Sequence, residues 1–197
     1  MERHTSDVFV KKAAAQNMRS RSAFKLTEIQ DQKKIIKRGS FVVDLGAAPG
    51  GWSVAASQYI DPGVGGMLCS VDLLPMKGVP QCTFIQGDFT DKRVRDSVIA
   101  AGNGRLPDVI LSDMLHNRTG HRDTDYARSI DLFYTVLDFC EDNLRPAGAM
   151  VVKILRGGDD KEVLADAKKV FLEVQLVKPA ASRNVSSEIY LVAMKKR

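Results

Sequence analysis

The chain has 197 residues, 44% hydrophobic and 27% charged, with 29 basic against 24 acidic residues and a formal net charge of +5. That length and balance suit one compact domain with its own core, and they exclude a disordered chain or a mini-protein held by disulfides or metal. The charge surplus permits a polyanionic partner without demanding one.

Cys69, Cys82 and Cys140 are far apart and form no C-x-x-C, so free thiols in a reducing compartment are expected and no metal site. No apolar run reaches the ~18 residues of a membrane span. No secretory leader is visible, and the first residues are basic and poor in acids, a composition shared with organelle-targeting segments. The expected setting is the mitochondrial matrix or the cytoplasm, with no membrane partner.

Residues 6–17 and 22–36 read as helices separated by Met18-Arg19-Ser20-Arg21, the second capped by Ser22 with Phe24, Leu26, Ile29, Ile35 and Ile36 as its apolar positions. After Gly39 short apolar runs alternate with helical stretches. Strands are expected at 41–45, 66–72, 82–86, 108–112, 149–155, 173–177 and 188–193, and helices at 52–60, 91–101, 125–143 and 161–171. Strand, helix and strand in series imply an α/β fold: a mostly parallel seven-stranded sheet with helices on both faces. The last two strands have no helix between them, so one of them runs antiparallel at or near an edge.

The loop Gly46–Gly51 joins the first strand to the next helix. Its small residues let backbone approach a ligand, and the helix start offers free N–H groups. It does not spell G-x-G-x-x-G, because position 48 is Ala, and Pro49 and Trp52 crowd a pyrophosphate; a nicotinamide-dependent oxidoreductase is therefore disfavoured. Asp72 ends the second strand, where an acid takes ribose hydroxyls. Asp88 follows the third strand, placed to accept from an adenine amino group.

The run DLGAAPGGWS, followed by VDLLPM, QGDF, ILSDM, VVKIL and SSEIYLVA and preceded by RSRSAFKL, resembles the FtsJ-like ribosomal RNA 2′-O-methyltransferases over nearly the whole chain. The resemblance implies a Rossmann-like methyltransferase fold in one domain over residues 1–197. Residues 1–38 would form a helical extension serving RNA and catalysis. It implies S-adenosylmethionine as methyl donor, held by Gly50, Trp52, Asp72, Asp88 and Asp113, with Gly46, Ala47, Pro49, Gly51, Leu73 and Phe89 completing that set. It also matches Lys25, Asp113, Lys153 and Glu188 to a Lys-Asp-Lys-Glu catalytic tetrad with Lys153 as its principal member. The implied substrate is a uridine of large-subunit ribosomal RNA, in the subunit or its assembly intermediate, and the implied enzyme is a monomer.

Those four residues suit the chemistry. A ribose hydroxyl is a poor acid, so a positioned base or strong polarisation is needed. Lys153 interrupts the apolar strand Val151–Leu155, where a charge is costly unless paired. To accept a proton its amine must be neutral; burial and Lys25 favour that form, and Asp113 and Glu188 oppose it.

Basic residues cluster at Lys11-Lys12, Arg19, Arg21, Lys33-Lys34, Lys37-Arg38 and Lys195–Arg197. The N-terminal group brackets Lys25, so phosphate contacts are expected beside the acceptor, with Arg118, Arg122 and Arg183 approaching from the other side. Leu115 and His116 replace the family's Ala-Pro after SDM, while Asn117, Thr119 and Gly120 keep its pattern; His116 is expected at the surface or lining the pocket. Pro146-Ala147-Gly148 replaces Pro-Gly-Gly and should only stiffen a turn. The altered loop keeps open a catalytically weak ribosome-assembly factor, and the tetrad keeps open a 2′-O-methyltransferase acting on transfer RNA or an mRNA cap.

Overall fold

The structure, a computed structural model, describes residues 19–116, 118–157, 160–182 and 186–197. The helix expected over 6–17, with Lys11 and Lys12, and residues Asn117 and Arg183 lie outside the described residues. In chain order the elements are α1 (Ala23–Lys33), β1 (Phe41–Leu45), α2 (Gly51–Ser57), a 3-10 turn (Pro62–Val64), β2 (Met67–Asp72), β3 (Cys82–Gln86) and α3 (Lys92–Ala101). Then come β4 (Val109–Ser112), α4 (Arg122–Asn143), β5 (Ala149–Leu155), α5 (Asp160–Val170), β6 (Phe171–Val177) and β7 (Glu188–Lys196).

The seven strands form one sheet in the order β3-β2-β1-β4-β5-β7-β6, and β7 alone runs antiparallel to its neighbours, one place in from the edge. The chain enters at the centre, moves out to β3 and crosses back to β4. Strand order therefore reverses between β1 and β4, and in such sheets a ligand crevice opens beyond the carboxyl ends of the strands at that point.

The two-residue period of each strand divides the core. Phe41, Val43 and Leu45 of β1 point to the layer of α3, α4 and α5, where they meet Val98, Phe133, Phe139 and Val163. Val42 points to the other layer, formed by α1 and α2 with Leu26, Ile29, Ala55 and Ala56.

Packing rather than capping holds α1. Ser22 is already helical and makes no capping bond with its side chain, whose hydroxyl instead meets the Ser20 hydroxyl at 2.6 Å. A lost cap costs about 1 kcal/mol. Burying Leu26 and Ile29 completely contributes about 3–6 kcal/mol together, which outweighs it. The helix also stops short of Ile36. Lys34 takes a left-handed backbone (φ 52°), and the buried Gln30 side chain replaces the next helical bonds: its amide donates to Ile36 O and accepts from Ile36 N, both at 2.8 Å. This clamp turns the chain so that Ile35 and Ile36 enter the core beyond the end of the helix.

Elsewhere the sequence boundaries shift by side-chain bonding. Asp91 caps α3 by accepting from Arg93 N at 2.9 Å. Helix α4 begins three residues before Asp125, because that carboxylate reaches back to Thr119 N (2.7 Å), Thr119 Oγ1 (2.8 Å) and Gly120 N (3.3 Å). Ala147 differs from expectation: its φ is +60°, a conformation glycine adopts at less cost, so the residue adds strain as well as stiffness to its turn.

Candidate functional site

Alternation along the strands brings the charged residues to one face. Val151 of β5, Val192 of β7 and Leu111 of β4 all pack on the α1/α2 side. Lys153, Tyr190 and Asp113 each lie two residues from one of them, and Glu188 two further along β7, so all share that side. Antiparallel register sets Lys153 opposite Tyr190 and Leu155 opposite Glu188. Helix α1 covers this face and supplies Lys25.

Two ion pairs result. Lys25 Nζ meets Glu188 Oε2 at 2.8 Å, and Lys153 Nζ lies 3.1 Å from Asp113 Oδ1. Lys153 also donates to the Asp113 main-chain oxygen at 2.5 Å, so one residue fixes its amine at two points. Both lysines are only 7% exposed, a state lysine rarely occupies unless paired. Tyr190 joins the pairs: its hydroxyl donates to Asp113 Oδ1 at 2.8 Å, and Lys25 Nζ stands 5.6 Å from its ring centroid. Burial and the Asp113 charge push the Tyr190 hydroxyl well above its ordinary value, which keeps it a donor. Burial pulls Glu188 upward, but Lys25, Lys153 and Arg118 outweigh it and hold the carboxyl below its usual range.

The glycine loop borders this group at the switch point. Gly46 N and Ala47 N donate to Val71 O at 2.9 and 3.0 Å. Gly46 has φ +72°, and a Cβ there would lie 2.3 Å from Met114 Cγ, so only glycine lets the β1 and β4 loops close together. Gly50, also at positive φ, lies under Arg19, whose guanidinium donates to the carbonyls of Lys77 and Gly78. Asp72 accepts from Ala48 N and Leu74 N, each at 2.8 Å and each on a different oxygen, leaving lone pairs for hydroxyl donors. Asp88 uses one oxygen for Thr90 N and Thr90 Oγ1, which lower its pKa and keep it ionised as an acceptor. Leu73 and Leu74, both 64% exposed, offer an apolar surface next to Asp72.

Behind the loop lies Asp44. It is fully buried; Ser53 Oγ donates to its Oδ2 at 2.6 Å, and its Oδ1 has no partner. Burial, helped by Asp113 and Asp72 against the Ser53 hydrogen bond, lifts its carboxyl to about 7.

Two further sequence candidates, Trp52 and Phe89, are buried side chains. Trp52 is buried, donating to Ser22 O at 2.9 Å and tilted against Tyr190 with centroids 5.4 Å apart. Phe89 is buried edge-on to Phe139. His116 is exposed. The basic clusters also divide. Arg21 donates to Ala181 O at 2.6 Å. Lys33, Lys34 and Lys37 line a cleft with Lys195 at the opposite end of the strands, where β1, β4 and β5 begin. Lys195 pairs with Glu173, and Lys196 donates to Glu141 O and Leu144 O, closing the end of α4. Tyr190 is the central residue that sequence reasoning missed; its position two residues after Glu188 on a strand was the available signal.

Comparison with known proteins agrees with this architecture. A family model described as FtsJ-like methyltransferase matches residues 18–196. Proteins named Ribosomal RNA large subunit methyltransferase E are 43% identical in Rhodopseudomonas palustris, over 98% of this chain and 83% of the relative, and in Acinetobacter baumannii, over 98% and 88%. A crystal structure described as a ribosomal RNA methyltransferase from Plasmodium falciparum superposes with a TM-score of 0.80 at 25% identity, covering 90% of this chain and 98% of that one. A Clostridium thermocellum rRNA-methylase structure shares the fold at a TM-score of 0.59 and 19% identity, over 86% and 96%. A reversed-order parallel sheet, a glycine loop at the reversal and a sequence match over the same span make this chain a member of the FtsJ-like methyltransferase family.

Proposed function

We propose that the chain transfers a methyl group from S-adenosylmethionine to a ribose 2′-hydroxyl of large-subunit ribosomal RNA, a uridine on the family resemblance, during ribosome maturation. The observation that carries this reading is the buried Lys153 amine, held at two points by Asp113 next to the glycine loop. The names of the bacterial relatives support the ribosomal substrate.

The loop and acids suit the donor. Gly46 and Gly50 keep side chains out of the β1–α2 turn, Asp72 has lone pairs for ribose hydroxyls, Asp88 has one for the adenine amino group, and Leu73 offers an apolar face. S-adenosylmethionine supplies a methyl carried on a sulfonium, which an oxygen displaces in line. The chain's own residues position that oxygen and remove its proton. Asp113 holds the Lys153 amine by its main-chain oxygen and its carboxylate, and once deprotonated that amine takes the 2′-hydroxyl proton on its lone pair. Tyr190 fixes Asp113, and Lys25 with Glu188 holds the ribose and balances charge. Residues up to 38 act as an extension of the single domain, carrying Lys25.

No helix among the described residues is long and apolar enough to cross a membrane. A reducing compartment, cytoplasm or mitochondrial matrix, suits the buried thiols Cys69 and Cys140, which burial pushes up. The enzyme acts as a monomer.

Lys153→Ala tests the assignment with labelled donor and large-subunit RNA. Methyl transfer should fall by about 10²–10⁴, the usual share of a general base, while calorimetry shows donor binding changed less than about threefold. Transfer at near wild-type rate would refute it. Mass spectrometry of the wild-type product should place the methyl on a uridine ribose. Donor and RNA binding without transfer would instead support an assembly factor, the reading that Leu115 and His116 leave open.

A further inference from the structure

A cleft of about 470 Å³ opens where β5 ends and β7 begins, lined by Arg118, Arg122, Leu155, Arg156, Ser186 and Ser187 among others. Its place in the fold follows from the tetrad strands. Leu155 and Arg156 directly follow Lys153 by two and three residues, and Ser186 and Ser187 directly precede Glu188. Leu155 is the register partner of Glu188, and Arg156 N donates to Ser187 O at 2.8 Å, so the strand pair that carries the tetrad continues into the cleft wall.

Three guanidinium groups face one carboxylate there, Asp125, which already accepts from Thr119 N, Thr119 Oγ1 and Gly120 N. Arg118 is steadied by Ser187 Oγ at 3.1 Å and lies 3.9 Å from Asp125. Arg122 and Arg156 have no hydrogen-bond or ion-pair partner for their side chains among the described residues. At the opposite end of the strands, by contrast, Lys195 is tied to Glu173, Arg145 to Asp108 and Lys33 to Gln175. Unspent guanidinium forks beside a catalytic amine match a phosphate, which accepts their paired N–H groups.

We infer that this cleft receives the phosphodiester flanking the acceptor ribose, with Arg122 and Arg156 as its principal donors and Arg118 steadied between it and Glu188. The inference rests on the ribose 2′-hydroxyl reading. On RNA the 2′-oxygen and the 3′-phosphate sit on adjacent ribose carbons. A hydroxyl brought to Lys153 therefore carries a phosphate into the neighbouring space, and the contact fixes which way the strand runs.

The test compares wild type, the double variant Arg122→Gln/Arg156→Gln and, as a control at the opposite end of the strands, Lys34→Gln/Lys37→Gln. Protein-free large-subunit ribosomal RNA serves as probe across a potassium chloride series. The double variant should raise the KM for RNA about tenfold or more, with kcat and donor affinity within about twofold, since uniform binding is lost. Its log–log salt dependence should be shallower by about 0.7, the single-strand value for the one phosphate contact removed. The control should keep the wild-type slope. An unchanged KM and slope, a fall in kcat alone, or an equal flattening in the control would overturn the inference. Salt-dependent RNA binding, measured by fluorescence anisotropy, reports on the cleft even without turnover. A methyl mapped to a base would sink the ribose reading by itself, whereas a ribose methyl with unaltered salt slopes would sink only the phosphate cleft.

Discussion

Asp44 makes a prediction that depends on burial alone. Its carboxyl is fully enclosed, one oxygen lacks a partner, and burial lifts it to about 7 from an ordinary 3.8. A folded-state value above the unfolded one means that stability is greatest below the unfolded value and is lost as pH rises through the folded one. Applied to these two values, the loss between pH 5 and pH 8 is about 2–3 kcal/mol from this group. Asp88 and Glu188 are shifted downward, so their stabilising share is present at the ordinary carboxylate range and above and is lost toward acid, outside that window. Asp44→Asn removes the titration and keeps an oxygen for Ser53. Urea unfolding of the ligand-free chain at pH 5 and pH 8 should show wild type losing about 2–3 kcal/mol more than the variant across that interval. The amide's own fit is the same at both pH values and cancels, as do all groups common to the two proteins. Equal losses in both would mean that Asp44 folds as an ordinary ionised carboxylate, and the reasoning would fail.

Gln30→Ala should destabilise the chain by about 2–4 kcal/mol in urea, because it leaves the N–H and C=O of buried Ile36 without partners; a loss under about 0.5 kcal/mol would dismiss the clamp. Lys25→Met removes the main group holding Glu188 down, so the acid-side fall of methyl transfer should move to higher pH in a profile from pH 4 to 9. An unmoved acid limb, with activity measurable, would detach Glu188 from the reaction.

Much of the architecture was legible in the sequence. Cys82–Gln86 and Ala149–Leu155 were delimited as observed, because short apolar runs bounded by turn residues have few alternatives in a covered sheet. Lys153 stood out through its cost inside Val151–Leu155, and the spelling of Gly46–Gly51 separated this loop from a dinucleotide turn. Helix ends were less legible. Ser22 looked like a cap and is not one, and α4 starts earlier than its apolar stripe, because bonds from Gln30 and Asp125 to nearby backbone set those boundaries.

By itself the sequence determined the order of elements, the side of the sheet each strand residue faces and the residues whose burial would be expensive, since these follow from local period and composition. Only the tertiary structure decided which of them meet. Insertion of β7 between β5 and β6 sets Tyr190 opposite Lys153, and α1 packing across that face brings Lys25 to Glu188, 163 residues away. Strand order and register are long-range choices made by the whole buried core, and no local pattern encodes them.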